Sequence, residues 1–175
     1  MVKTGPDVLL ELEYKGVKFI NQLGKEQPAN QPYGFNFRDY TPDINWDVKW
    51  YRWFSDSDPI KDYGQIKYLT GNTQPFKNEI SKNINYTWWG EVGKQMPADS
   101  FITIATSTIN VQKGNYQLGI TADDLVRVYV DGKLVIDFWD IKKYVYDEDT
   151  HHDAIVELVG KHEIRIEHLE NGGYA

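Results

Sequence analysis

The stretch ITADDLVRVYVDGKLVIDFWD, residues 120–140, decides the fold that the sequence predicts. Val126, Val128 and Val130 alternate with Arg and Tyr, and this two-residue period indicates a strand with one face on a core. The Asp131–Gly132 pair that follows is typical of a type I′ turn, in which both central residues need a positive φ. We therefore predict a β-hairpin whose second strand begins after Gly132.

Alternation of the same kind recurs along the chain, whereas no helical pattern of ten or more residues is present. Turn residues follow several of these runs, at residues 113–116, 159–162 and 171–173. Residues 56–93 are rich in Asn, Gly and Pro, which predicts irregular loops with a short helix. These patterns predict an all-β fold, an antiparallel β-sandwich or distorted barrel with long irregular loops. Inward-facing side chains are expected at Leu10, Leu12 and Tyr14, at Val48, Trp50 and Phe54, at Ile102, Ile104, Ile109 and Val111, and at Ile164 and Ile166.

The composition narrows the classes of function. The chain has 175 residues, which is enough for one domain with a core. Its net charge of -7 and its lack of a basic cluster argue against nucleic acid as a partner. No segment is long and apolar enough to insert into a membrane. With no cysteines, disulfides and thiolate metal sites are excluded.

Asp123 and Asp124 stand side by side between two predicted strands. Adjacent carboxylates repel each other, and a hard cation such as Ca²⁺ removes that penalty. Asp is also common in turns, so the residues alone leave a metal site and turn chemistry both open. A catalytic pair is disfavoured, because glycosidase carboxylates stand about 5–9 Å apart and usually come from different strands.

Two further groups of residues have alternative interpretations. His151, His152 and Asp153 could bind a transition metal, but a polar loop between strands is favoured. In the TWWG motif, Trp88 and Trp89 face opposite ways if they lie in a strand. One indole would then pack in the core, and the other would cap the core or contact a ligand.

The segments KGNYQLGITADDLVRVYVDGKLVIDFWD (residues 113–140) and VELVGKHEIRIEHLENGGYA (residues 156–175) together closely resemble the PA14 domain family. The resemblance covers residues 35–175. It implies a β-sandwich of the kind found within secreted glycosidases, adhesins and toxins. On this basis residues 1–175 are expected to form a single PA14-like domain, in which residues 1–34 are an N-terminal extension.

The resemblance also implies a calcium site. In lectin-like members the Asp-Asp pair, joined by a cis peptide bond, binds one Ca²⁺ that contacts sugar hydroxyls. The metal ligands carried over are Asp123, Asp124, Asn171 and a carbonyl of Gly173, with the Ala175 carbonyl as a further candidate. Ligand-contacting residues are expected at Asp123, Asp124, Asn171, Gly172, Tyr174 and Trp89.

The function implied is that of a non-catalytic, calcium-dependent carbohydrate-binding module. It would belong to a secreted or cell-surface protein and sit beside other domains of that protein. The alternative is a structural or protein–protein interaction module without sugar binding. Sugar specificity would come from loops near the ion, at residues 146–153 and 85–93.

Two features depart from the family pattern. Bacterial members usually carry Gly after the Asp pair, whereas this chain has Leu125, which is expected to narrow the approach of a ligand. The family also continues into one more strand after the Gly-rich loop, whereas this sequence ends at Ala175. Residues 7–19 are one candidate to replace that strand, and truncation of the fragment is the other explanation.

Overall fold

The computed structural model describes residues 19–20, 26–27, 44–87, 97–140 and 150–173. The chain forms two compact units, residues 1–41 and residues 42–175. In the first unit, strands β1 (Phe19–Ile20) and β2 (Glu26–Gln27) pair antiparallel.

Some predictions for the N-terminal region concern residues outside the described ranges. The strand expected around Leu10, Leu12 and Tyr14 lies there, as do residues 7–18 of the segment proposed to replace the last family strand. A single domain over residues 1–175 stays a prediction.

The second unit contains one helix and a six-stranded sheet within its described residues. Neighbouring strands in the sheet are antiparallel, in the order β4-β3-β5-β8-β6-β7. The predicted all-β class is thereby confirmed, and so is the short helix expected within residues 56–93. The elements are β3 (Trp46–Arg52), α1 (Gly64–Asn72), β4 (Lys77–Ser81), β5 (Phe101–Ala122), β6 (Leu125–Val130), β7 (Lys133–Phe138) and β8 (Thr150–Glu170).

Strands β5 and β8 pair along almost their whole length as a long ribbon, one part of which lies between β3 and β6 in the sheet. The register shifts between Val111 and Gly114, opposite Gly160, whose φ is +83°. The predicted turns at residues 113–116 and 159–162 are therefore wrong, because both segments lie inside long strands and face each other at this bulge. Glycine allows the positive φ of Gly160 here as it does in a turn, and a bulge bends the strands instead of ending them.

The ribbon folds over at the bulge. Apolar side chains from both sides of it pack into one core cluster together with the β6–β7 hairpin, which gives the two layers of the predicted sandwich. The buried members are Ile109, Val111, Val128, Val130, Ile136, Leu158 and Ile164, and Tyr116, Leu118, Ile120 and Val156 are among those packed against them.

The residue after the Asp pair points inward. Leu125 is fully buried and packs in a second cluster with Ile102 and Leu169. The expectation that Leu125 narrows the approach of a ligand is therefore wrong. Its register partner on β8 is Leu169, so the ladder itself places the side chain in the core.

The alternation predicted through Phe54 stops at the end of β3. Val48 and Trp50 are buried as predicted, but Phe54 lies beyond the strand and is 59% exposed. A turn follows the strand, in which the Ser57 N–H donates to the Phe54 carbonyl at 2.9 Å. The turn ends the alternation, and the preceding Trp53 takes the buried place instead.

The β6–β7 hairpin has the predicted turn. Asp131 and Gly132 have φ values of 50° and 76°. The Asp131 carboxylate accepts from the Glu163 N–H at 2.8 Å and lies 2.6 Å from Nδ1 of His162. These contacts fasten the hairpin turn to β8. In the described ranges no helix has the length and hydrophobicity needed to cross a bilayer.

Candidate calcium site

The Asp pair lies between the end of β5 and the start of β6. The peptide bond between Asp123 and Asp124 is cis, as the resemblance implied. Both residues are buried. Since β6 pairs with the last residues of β8, the pair lies beside the loop that follows β8.

That loop contacts the Asp pair directly. The Asn171 N–H donates to Oδ2 of Asp124 at 2.6 Å, across a separation of 47 residues. Further along, the Gly173 N–H donates to Oδ1 of Asp99 at 3.3 Å. The fold therefore brings the predicted residues Asp123, Asp124, Asn171 and Gly173 to one end of the inner strands of the sheet.

His168 supports the backbone of the pair from β8. Its Nε2 lies 2.6 Å from the Asp123 carbonyl oxygen, and its Nδ1 lies 3.3 Å from Oγ1 of Thr103. Burial lowers the pKa of His168, and this effect exceeds the opposing effects of the Asp123 carbonyl and the Asp124 charge. A neutral ring accounts for both contacts, because Nε2–H donates to the carbonyl and Nδ1 accepts from the hydroxyl.

Glu170 is the residue that sequence reasoning missed. Its side chain is fully buried, and neither carboxylate oxygen has a hydrogen-bond partner. Burial, and then the charges of Asp124, Asp123 and Asp99, raise the pKa of Glu170 to about 9. The Gly172 N–H opposes this rise without reaching hydrogen-bond geometry. The available signal was its position directly before Asn171 in the implied metal loop.

The oxygen atoms here suit a hard cation. Oδ1 of Asp124 is buried without a hydrogen-bond partner, in addition to the two oxygens of Glu170. Within residues 44–87, 97–140 and 150–173, however, no three carboxylate or imidazole side chains are arranged to hold a metal ion. A cation at the Asp pair would therefore also need amide and backbone carbonyl oxygens, and Ca²⁺ accepts such a mixed oxygen set.

Other predicted site residues lie elsewhere or outside the described ranges. Trp89 and Tyr174 are outside them, together with Trp88 and Ala175. Most residues of the two expected specificity loops are outside them as well.

The prediction of a polar loop around His151 and His152 is wrong, because both residues belong to strand β8. Nδ1 of His151 lies 3.0 Å from Oγ1 of Thr121 on β5, and the ring of His152 stacks on Phe138 at 4.2 Å between centroids. The two imidazoles point to opposite faces of the ribbon, as adjacent strand residues must.

The PA14 domain family matches residues 52–175, which is most of the chain. The chain therefore belongs to the PA14 domain family. No curated protein matches it.

Solved structures show the same fold at low sequence identity. The PA14 sugar-binding domain from an RTX adhesin is 20% identical, with 74% of this chain and 84% of that chain covered and a TM-score of 0.53. The PA14 domain of the antifreeze protein MpAFP is 16% identical over 79% and 84% of the two chains, with a TM-score of 0.51. An anti-sigma factor domain-containing protein is 19% identical over 77% of this chain, with a TM-score of 0.53. This chain spans 40% of the length of that last protein.

Proposed function

We propose that this chain is a non-catalytic, calcium-dependent carbohydrate-binding module of a larger secreted or cell-surface protein. Membership of the PA14 family supports the proposal, because the family is often carbohydrate-binding and occurs within larger proteins. The binding site proposed is the surface formed by Asp123, Asp124 and the loop of residues 171–173.

One observation carries the proposal. Asp124 accepts from the Asn171 N–H with one oxygen, and its other oxygen is buried without a partner beside the equally unpartnered Glu170. Buried carboxylates without hydrogen bonds are costly. A divalent cation offsets both the desolvation and the mutual repulsion of these groups.

Each residue has a distinct role in this proposal. Asp123 and Asp124 would supply carboxylate oxygens, Asn171 its side-chain amide oxygen and Gly173 its carbonyl. His168 fixes the Asp123 backbone and so orients the pair. When bound, Ca²⁺ would supply a positive centre that accepts hydroxyl oxygens of a sugar. Gly172, Tyr174 and Trp89 are proposed to flank that sugar.

Thermal unfolding tests whether the chain binds Ca²⁺. We expect the melting temperature to rise when Ca²⁺ replaces EDTA, because a ligand at 100 times its Kd stabilises the folded state by about 2.7 kcal/mol. Asp124→Asn should abolish this rise. The matched control is Asp153→Asn, which changes an exposed aspartate on β8 and should leave the rise intact. An equal melting temperature of the wild type in both conditions would refute the calcium site.

A glycan array tests whether the chain binds carbohydrate and whether that binding needs Ca²⁺. We expect glycans to be retained in Ca²⁺ and released in EDTA, with no retention by Asp124→Asn. Calcium-dependent stabilisation without any glycan retention would instead favour the alternative, a structural or protein-interaction module. Hydrolysis of chromogenic glycosides by the wild-type chain would contradict the non-catalytic role.

A further inference from the structure

A concave surface lies in the unit formed by residues 42–175, away from the Asp pair. It is a cleft of about 620 Å³ between the turn after β3 and helix α1. None of the residues that line it belongs to the Asp123–Asp124 site. Those that matter for its chemistry are Arg52, Phe54, Asp56, Tyr68, Leu69 and Gln74.

Hydrogen bonds hold both walls of the cleft in place. In the turn after β3, Oγ of Ser57 accepts from the Phe54 N–H at 3.1 Å. At the end of α1, the N–H and the hydroxyl of Thr73 both donate to the Leu69 carbonyl, at 3.0 and 2.7 Å. The Phe76 N–H then donates to the Trp50 carbonyl at 3.0 Å, which ties the chain after α1 back to β3. The cleft is therefore largely pre-formed, which limits the ordering cost of binding.

The side chains on these fixed walls face solvent. Phe54 is 59% exposed and Tyr68 is 56% exposed, although both are large rings that proteins usually bury at least in part. Leu69 also lines the cleft and is buried in the core. Two exposed rings on one concave surface provide apolar faces, and of these only one face of the Phe54 ring is covered, by Arg52.

The polar groups of the cleft are also available to a ligand. The exposed side chains of Asp56 and Gln74 form no hydrogen bond or ion pair with the rest of the described chain. The Arg52 guanidinium lies 5.5 Å from the centre of the Phe54 ring, a cation–π contact that leaves its N–H donors free for another partner. The cleft thus combines uncommitted donors and acceptors with aromatic faces.

The charges in the cleft select the ligand class. Arg52 and Asp56 carry opposite charges, so a ligand with a strong charge of either sign would meet one like charge. An uncharged pyranose matches both features, because its C–H face packs on an aromatic ring while its hydroxyls both donate and accept. We propose that the cleft between α1 and the turn after β3 binds a neutral oligosaccharide without calcium. This site is independent of the proposed calcium site and adds a second point of contact.

Titration in EDTA tests the cleft separately from the calcium site. The probes are neutral hexaoses of glucose, xylose and mannose, added to the full chain and followed by calorimetry. We expect at least one to bind the wild type and to bind Asp124→Asn equally well. If none of the three binds the wild type in EDTA, the proposal is wrong, whatever the glycan array in Ca²⁺ shows.

Variants assign the binding to the cleft. Tyr68→Ala and Phe54→Ala should each weaken it at least about fivefold, because stacking on an exposed ring contributes about 1 kcal/mol or more. Tyr68→Phe keeps the ring and should stay within about twofold of the wild type. Lys67→Ala is the matched control, since it changes an exposed neighbour on α1 that does not line the cleft. Wild-type affinity in both alanine variants would place the sugar elsewhere and overturn the proposal, and near-UV circular dichroism verifies that each variant is folded.

Discussion

Glu170 and Asn171 are neighbours in the chain with opposite surroundings. Glu170 ends β8 with its carboxylate fully buried, whereas the side chain of Asn171 is exposed at the start of the loop. Core packing at the end of the sheet therefore encloses a carboxylate whose oxygens have no hydrogen-bond partner. Such a residue lowers the stability of the metal-free protein, and a cation bound at the proposed site would offset this cost.

Glu170→Gln should stabilise the metal-free chain. We expect a gain of about 1–2 kcal/mol in the free energy of unfolding, because a pKa of about 9 means that Glu170 must take up a proton on folding at neutral pH, whereas an amide of the same shape stays neutral in both states. Urea denaturation in EDTA at neutral pH measures it. The stabilisation by Ca²⁺ should be smaller in this variant than in the wild type.

The control for Glu170→Gln is Glu157→Gln, which changes an exposed glutamate on the same strand. The Glu157 side chain forms an exposed ion pair with Lys113 at 3.5 Å, so the effect of this change on stability should be small. A loss of stability in Glu170→Gln, or equal effects in the two variants, would show that the buried carboxylate has a favourable partner.

The hydrogen-bonded pair of Tyr86 and Glu79 predicts how the free energy of unfolding depends on pH. The Tyr86 hydroxyl donates to Oε1 of Glu79 at 2.6 Å. This bond is the main cause that lowers the pKa of Glu79, while burial and then the bond to Glu79 raise the pKa of Tyr86 to about 12. Because the pKa of Glu79 is lowered in the folded state, ionised Glu79 stabilises the fold above pH 4.5. This stabilisation is lost as the pH falls through the lowered pKa. Because the pKa of Tyr86 is raised, protonated Tyr86 contributes its full stabilisation of the fold below pH 10. This stabilisation is lost between pH 10 and about 12.

Tyr86→Phe should therefore reduce the slope of stability against pH at both ends, below 4.5 and between 10 and 12. Urea midpoints across the pH range measure this. Tyr116→Phe is the control, because that hydroxyl donates to the Gln112 carbonyl, which does not titrate. Unchanged slopes in Tyr86→Phe would mean that the pair does not control the titration of either group.

At the scale of elements, local sequence identified strands more reliably than it identified what joins them. Residues 131–132 were predicted as a turn correctly, whereas residues 113–116 and 159–162 proved to be a bulge within a ribbon. All three segments carry Gly, and both Gly132 in the turn and Gly160 opposite the bulge have a positive φ. Only the pairing partner distinguishes the two, and that partner lies about 50 residues away in the chain.

Gly160→Ala tests the bulge. Gly160 has a φ of +83° with open space where a Cβ would be added, so the cost should come from backbone conformation alone. We expect a loss of about 1–2 kcal/mol in the free energy of unfolding. Gly71→Ala is the control: it also meets open space, but in helix α1, and should stabilise by about 0.5–1 kcal/mol. A neutral Gly160→Ala would mean that the ribbon bends without needing this conformation.

At the scale of the molecule, alternation predicts which side of a strand is apolar but not which apolar sides meet. Val128 and Val130 were expected to be buried, and they are, yet their contact with Leu158 depends on the ribbon folding over. The candidate site has the same limitation. The resemblance indicated Asp124 and Asn171, whereas the buried carboxylate of Glu170 follows from packing at the end of the sheet.

Leu158→Ala tests whether the folded-over ribbon holds the two layers together. Leu158 is 4% exposed and lies in the cluster shared by both halves of the ribbon, so its truncation should cost about 2–4 kcal/mol of unfolding free energy. Ile155 is three residues earlier on β8 but faces outward and is 76% exposed, so Ile155→Ala should change stability by no more than about 0.5 kcal/mol. Urea denaturation of both variants gives the comparison. Similar losses would mean that the outer face of the ribbon is also packed, and a small loss for Leu158→Ala would mean that the two layers do not depend on this cluster.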